Sequence, residues 1–226
     1  MISPNLDALK RIKLNRSSKD IAGDKGETKV YIKLNEYSRK HFYITRMIDN
    51  FIYRIPHGSR EIDLIYIFKK GVFVIEIKNW KGVIKGASKD EKWTRVLGNK
   101  TYPYKNPVIQ NKNHVNDVKR MLGSNVPVHP LIIFTSENAN SLKIPLVINL
   151  LDLESYLDKF NSSLTLSDKN IDDICKKLLE IKKRDAVSRE THIKNAKNTR
   201  EYEAKKKYEA DLPDLVKRVR AERNIK

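Results

Sequence analysis

Two hydrophobic periods alternate along the chain. In residues 21–39, Val30, Leu34 and Tyr37 recur at intervals of three to four, which predicts one apolar helix face. HFYITRMI, residues 41–48, predicts a strand. REIDLIYIF and VFVIEIKNW, on either side of Lys69-Lys70-Gly71, predict two strong strands joined by a tight turn. Short alternating pieces come next, around residues 82–86, 92–97 and 102–104, separated by Gly and Asn. Pro107 suits the first position of a helix running to about residue 122. Residues 131–134 and 146–149 predict two further strands. Residues 151–160 and 167–183 predict helices, the latter capped by Ser167. This order predicts an α/β domain with a mixed central sheet flanked by helices. Beyond it, residues 185–226 alternate acid and base at helical spacing, as in Glu201 with Lys205 and Glu203 with Lys207. They predict a charged helix interrupted near Pro213.

Composition narrows the chemistry. The 226 residues carry 46 Lys and Arg against 28 Asp and Glu, a formal charge of +18. Residues 183–226 contribute +6 of it, so most of the excess belongs to the body. A polyanion is the expected partner, with nucleic acid first. The tail has no apolar face with Trp or Phe, so a membrane surface is not the expected partner. Cys175 is the only cysteine, which excludes an internal disulfide and any zinc site built on two cysteines. No run of 18 apolar residues exists, and the N-terminus lacks a secretory apolar segment, so a cytoplasmic location is expected. The five histidines, His41, His57, His114, His129 and His192, show no metal-ligand spacing. No GxxxxGK[ST] loop is present to cradle ATP phosphates.

One carboxylate stands out. An acid two positions before a lysine occurs six times, and only Glu76-Ile77-Lys78 lies in a strongly apolar strand. Val72, Val74, Glu76 and Lys78 share one face of that strand, and Phe73, Ile75 and Ile77 the other. Both faces begin apolar, which predicts a strand covered on both sides. A lone carboxylate there costs several kcal/mol unless it is paired, metal-bound or protonated. A two-residue Lys69-Lys70 turn makes partner numbers sum to 139, which sets Asp63 opposite Glu76 with Cβ atoms roughly 4.5–5.5 Å apart. A bulge at Gly71 would shift that register by one. Glu27 is a third acid out of place, three residues before Val30 on the apolar stripe of the first helix. A first-turn residue favoured by the helix dipole is the alternative reading.

Two acids and a lysine converging in a basic protein point to metal-assisted phosphodiester hydrolysis. Asp63 and Glu76 would hold Mg²⁺, for which Mn²⁺ can substitute, and Lys78 would orient or deprotonate the attacking water. The competing reading is a buried ion pair that fixes strand register. Trp80 and Trp93 read as core and hairpin residues, and His57 as a loop histidine. Lys100, Tyr102, Tyr104 and Lys105 interleave charge with aromatics, in the manner of a nucleic-acid-binding edge or an ordinary solvated strand.

These residues resemble the PD-(D/E)xK nuclease pattern, and more specifically the NERD (nuclease-related) domain family. GDKGETKVYIKLNE resembles the family's opening helix, with Glu27 at its acidic position. REIDLIYIFKKGVFVIEIKNWKGVIKG resembles its central hairpin, with Asp63, Glu76 and Lys78 at the catalytic positions. KWTRV and YPYKNPVIQ match the region ending in a signature glutamine, here Gln110, and LIIFTS and VINLLDLESYL resemble the family's later segments. The resemblance implies a restriction-endonuclease-like fold and Mg²⁺-dependent cleavage of DNA, with RNA left open. It implies Glu27 as a further metal or water ligand and Gln110 as a site member. Many relatives add a zinc ribbon, kinase or helicase; here only the basic tail is present after the domain. The expected organisation is an arm (1–19), the nuclease domain (20–160), a helical extension packing on it (161–184) and a charged helical tail (185–226). The rival function is a catalytically inactive nucleic-acid-binding or interaction protein of the same fold. A homodimer is left open.

Overall fold

The computed structural model describes residues 18–56, 58–162, 164–186, 191, 192 and 194, with side chains from residue 25 onward. Helix α1 (Ser18–Lys40) is followed by strands β1 (Arg46–Ile55), β2 (Gly58–Phe68) and β3 (Gly71–Lys78). Three short strands come next, β4 (Val83–Lys85), β5 (Lys92–Leu97) and β6 (Lys100–Lys105), then helix α2 (Pro107–Leu122). Strand β7 (Val128–Phe134), strand β8 (Val147–Asn149), a 3₁₀ turn (Leu150–Asp152) and helices α3 (Leu153–Lys159) and α4 (Asp168–Arg184) complete the order. Five strands form one sheet in the order β1-β2-β3-β7-β8, and β4-β5-β6 form a second. β2 and β3 are antiparallel, whereas β3–β7 and β7–β8 are parallel, so the central sheet is mixed and helices flank it.

The hairpin has the register set by its two-residue turn, with Phe68 opposite Gly71 and Leu64 opposite Ile75. Gly71 does not bulge. Its φ is 124°, and a Cβ there would lie 2.7 Å from the Pro127 carbonyl, so the position takes only glycine. Asn106 caps α2 by accepting the Val108 N–H at 2.8 Å, and Pro107 opens the helix. Ser167 Oγ accepts the Asn170 N–H at 3.2 Å and caps α4 as its sequence predicts.

The first strand differs from its expected place. It starts at Arg46 because the end of α1 captures the preceding amides: His41 N–H donates to Tyr37 and Tyr43 N–H to Ser38. Phe42 between them takes φ 52°, in the left-handed region and outside ordinary strand backbone. The helix expected over 151–160 begins with a 3₁₀ turn and is α-helical only from Leu153.

The described residues form two compact units, one of those up to residue 51 and from 62 to 180, the other of those from 52 to 61 and beyond 180. In the first, Val30, Leu34 and Tyr37 of α1 and Leu153 and Leu157 of α3 cover one face of β2, β3 and β7, burying Leu64, Phe73, Ile75, Leu131 and Ile133. Ile84 and Trp93 of the small sheet form a second apolar cluster with Ile132, Phe134, Ala139, Leu142 and Val147. In the second unit, Arg54 N–H donates to Asp185 at 3.2 Å, and Arg184 pairs with the same carboxylate at 2.8 Å. Ser59 Oγ and His192 Nδ1 lie 2.8 Å apart. No helix among the described residues is long and apolar enough to cross a membrane. Residues 1–17, His57 and residues 195–226, which hold Glu201, Lys205 and Pro213, lie outside the described residues.

Candidate active site

Leu64 and Ile75, partners across the hairpin, both point into the cluster under α1 and α3. Side chains alternate along a strand, so Asp63 and Glu76 share the opposite face. The β2–β3 ladder ends at Leu64 and Ile75, and there the Asp63 carboxylate takes over: its Oδ2 accepts the Ile77 N–H at 2.7 Å. Glu76 is 1% exposed. Its Oε1 accepts from Lys78 Nζ and, at 2.7 Å, from Gln110 Nε2. Its Oε2 has no hydrogen-bond partner among the described residues; the nearest imidazole nitrogen, His114 Nε2, stands 3.9 Å away. A buried carboxylate oxygen in that condition carries a desolvation penalty that a cation would relieve.

The charges show how tightly the groups sit together. Burial, and then the Glu76 carboxylate, push Asp63 well above the usual carboxylate range. Lys78 and the Ile77 amide counter this only in part, and Glu27 adds to it. Burial alone would lower Lys78, but Glu76, Asp63 and Glu27 outweigh it and raise the amine above its ordinary 10.5. Lys78 is therefore an ammonium at neutral pH in this arrangement. It is fit to orient water or screen a phosphate, and it must lose its proton before it can act as a base. Glu27 thus acts on both groups from α1. Beside it α1 comes close to the ends of β3 and β7 at Gly26, where a Cβ would lie 3.1 Å from Asn79 Cβ and 3.3 Å from Thr135 Oγ1. The Asn79 carboxamide in turn accepts from the Thr135 and Ser136 hydroxyls, each at 2.9 Å, which ties the end of β3 to the end of β7.

Helix α2 brings Gln110 to the site from the other side. Asn111 is buried on the same helix and donates to the carbonyls of Val74 at 3.0 Å and Leu131 at 3.1 Å, one on each of two adjacent strands. Asn106 donates to Ala87, Ser88 and Asp90 as well as capping α2, so the small sheet and the helix start are joined at one residue. Sequence reasoning missed Asn106, Asn111 and His114. His114 lies one turn after Gln110, and that i to i+4 spacing was its only signal.

Residues 22–135 match the nuclease-related domain, NERD, a span that holds Glu27, Asp63, Glu76, Lys78, Gln110 and His114. The chain belongs to this family. An uncharacterized protein of Bacillus anthracis is similar to it, 26% identical over 182 residues that cover 78% of this chain and 84% of the relative. No solved structure matches.

In this NERD domain the donors suit a hard divalent cation: two carboxylates on one strand-pair face, one with an unsatisfied buried oxygen and one of raised proton affinity. Among the described residues, no three of His, Cys, Asp and Glu cluster closely enough to hold a metal ion. Mg²⁺ typically needs only one or two protein carboxylates, the rest of its shell being water and substrate phosphate. Glu27 contributes charge to Asp63 and Lys78 but does not join them in such a cluster.

Proposed function

We propose that this NERD protein is a Mg²⁺-dependent nuclease that hydrolyses phosphodiester bonds in DNA by the two-carboxylate-plus-lysine mechanism of PD-(D/E)xK enzymes. The observation that carries the reading is Glu76, buried in the sheet with Oε2 unsatisfied and facing the same way as Asp63. Asp63 and Glu76 would hold the ion, and Mn²⁺ would serve in its place. The chemistry supplied by the ion when bound is charge neutralisation at the phosphate and acidification of water. Every other task falls to the chain. Gln110 fixes the Glu76 carboxylate in one rotamer by its 2.7 Å bond, which leaves Oε2 as the oxygen free to bind. Lys78 places a positive charge beside the carboxylates, where the scissile phosphate must come, and donates hydrogen bonds to oxygens that gain charge in the transition state. Glu76 first, then Asp63 and least of all Glu27 keep Lys78 protonated until substrate arrives. The body's excess of positive charge gathers the polyanion around this acidic centre.

The test is incubation of the purified protein with plasmid, linear and single-stranded DNA in Mg²⁺, Mn²⁺ or EDTA, beside Glu76→Ala and Lys78→Ala. Cut products that need the metal and fall by about 10²-fold or more in each variant support the mechanism. Binding without metal-dependent products would replace it with the reading of an inactive nucleic-acid-binding protein. Equal cutting by wild type and variants would remove the site assignment.

A further inference from the structure

The small sheet presents a face that continues from the site. Cross-strand partners share a face, so Trp93 with Tyr104, Arg95 with Tyr102, and Leu97 with Lys100 lie on one side of β5–β6, together with Ile84. The inner end of that face, Ile84 and Trp93, is fully buried against Phe134 and its neighbours. Further out it changes character. Tyr104 packs its ring against Trp80, centroids 4.5 Å apart. Trp80 lies under the Lys78 ammonium, 5.6 Å from Nζ to the ring centroid. Arg95 Nη1 donates to the Tyr104 hydroxyl at 3.3 Å and its Nε to the Lys81 carbonyl at 2.7 Å, so the guanidinium is fixed beside the ring. Tyr102, opposite Arg95, is 38% exposed, and Leu97 at the tip is 44% exposed. The line Lys78, Trp80, Tyr104, Arg95, Tyr102 therefore runs outward from the catalytic lysine as a row of cations and rings.

The charge around it has one sign. Residues 81–105 hold seven Lys and Arg against two acids. Lys100 shares the face of Arg95 and Tyr102, Lys85 and Lys92 lie on the opposite face, and Lys89 sits in the loop before β5; all four are exposed and make no ion pair among the described residues. A structural hairpin does not need that excess, and a phosphate chain does. The ring spacing chooses the form of the chain. Tyr102 and Tyr104 are two apart on one strand and so stand roughly 6.8 Å apart. Bases in a duplex strand rise about 3.4 Å and face inward, which leaves them no ring to stack on. An unstacked single strand offers its base faces, and base–aromatic stacking is the usual means of holding one without sequence preference.

We infer that the β4–β6 sheet is the substrate-docking platform of this protein and that its occupant is single-stranded DNA, with a base stacked on Tyr102 and the backbone led by Arg95 and Lys100 toward Lys78. The inference rests on the nuclease reading for its direction along the strand.

The experiment uses the full chain in EDTA with a fluorescein-labelled single strand of about 20 nucleotides, a length that exceeds one stacking site, and the matching duplex, followed by anisotropy. A second single strand carries 2-aminopurine, whose fluorescence reports stacking. Wild type should bind the single strand more tightly than the duplex. Tyr102→Ala should weaken single-strand binding at least about fivefold and abolish the 2-aminopurine change, while Tyr102→Phe retains both. Lys100→Ala should lower the salt slope by about 0.7. Unchanged single-strand affinity in Tyr102→Ala, or tighter binding of duplex than of single strand by wild type, overturns the platform. Failure of the two readings is distinguishable. Glu76-dependent cleavage with Tyr102-independent binding removes the platform alone, whereas Tyr102-dependent binding without cleavage supports the platform and removes the nuclease.

Discussion

Asn111 offers a direct test of how helix α2 is held over the sheet. Its side chain is 1% exposed, and its two Nδ2 hydrogens satisfy one carbonyl on β3 and one on β7. Asn111→Ala leaves both carbonyls without that donor. Each loss costs about 1–3 kcal/mol when the acceptor stays dry, and the low end applies because a carbonyl has a second lone pair for the ladder. The vacated volume adds about 1 kcal/mol. Asn111 Oδ1 has no hydrogen-bond partner among the described residues, so its removal returns about 1 kcal/mol. The expected net is a loss of about 2 kcal/mol, or roughly 4–8 °C in Tm for a chain of this size. Urea denaturation should show a lower midpoint with an unchanged slope. The exposed neighbour Lys112→Ala should stay within about 0.5 kcal/mol. A midpoint for Asn111→Ala equal to that of Lys112→Ala would refute the claim that this amide clamps the helix to two strands.

Three other outcomes rest on the same structure. Because the folded-state pKa of Asp63 is raised above its ordinary 3.8, the stability it allows is full below that value and is lost as pH rises through the raised one. Asp63→Asn, which keeps an acceptor for Ile77 N–H, should melt above metal-free wild type at about pH 8, with the gap narrowing toward about pH 5; a pH-independent gap or a lower-melting variant would contradict the shift. Phe42 is 94% exposed at φ 52°, so Phe42→Asn should raise stability by about 0.5–1 kcal/mol in urea denaturation, since left-handed backbone costs a bulky residue about 1–2 kcal/mol and little burial is lost. Gly26→Ala gains about 1 kcal/mol of helix propensity but pushes on Asn79 at 3.1 Å. Its melting should stay within about 1 kcal/mol of wild type while DNA cleavage falls several-fold, and unchanged cleavage would show that Glu27 does not depend on this close approach.

The local order of the chain was readable because each signal acts within a few residues. The Lys69-Lys70 turn sets the β2–β3 register through backbone geometry alone, and the observed pairing of Phe68 with Gly71 is its direct result. Pro107 marks the start of α2 for an equally local reason, its fixed φ and missing N–H. The pattern misleads where the deciding interaction comes from outside it. HFYITRMI has strand composition, yet the carbonyls at the end of α1 bind its first amides, and the strand waits until Arg46.

The candidate site divides along the same line. By itself the sequence determined that Glu76 is a carboxylate in an apolar strand, that Lys78 shares its face, and that Asp63 lies at the matching place in the hairpin. Period-2 alternation and a two-residue turn require no more than that. Only the tertiary structure decided what surrounds them. The α2 crossover between the parallel strands β3 and β7 brings Gln110 to one Glu76 oxygen, leaves the other unsatisfied and sets His114 at 3.9 Å. The packing of α1 near the end of β3 lets Glu27 act on Asp63 and Lys78 across a sequence gap that no periodicity spans. Those relations depend on how helices cross the sheet. A linear pattern names the groups, and packing fixes their distances.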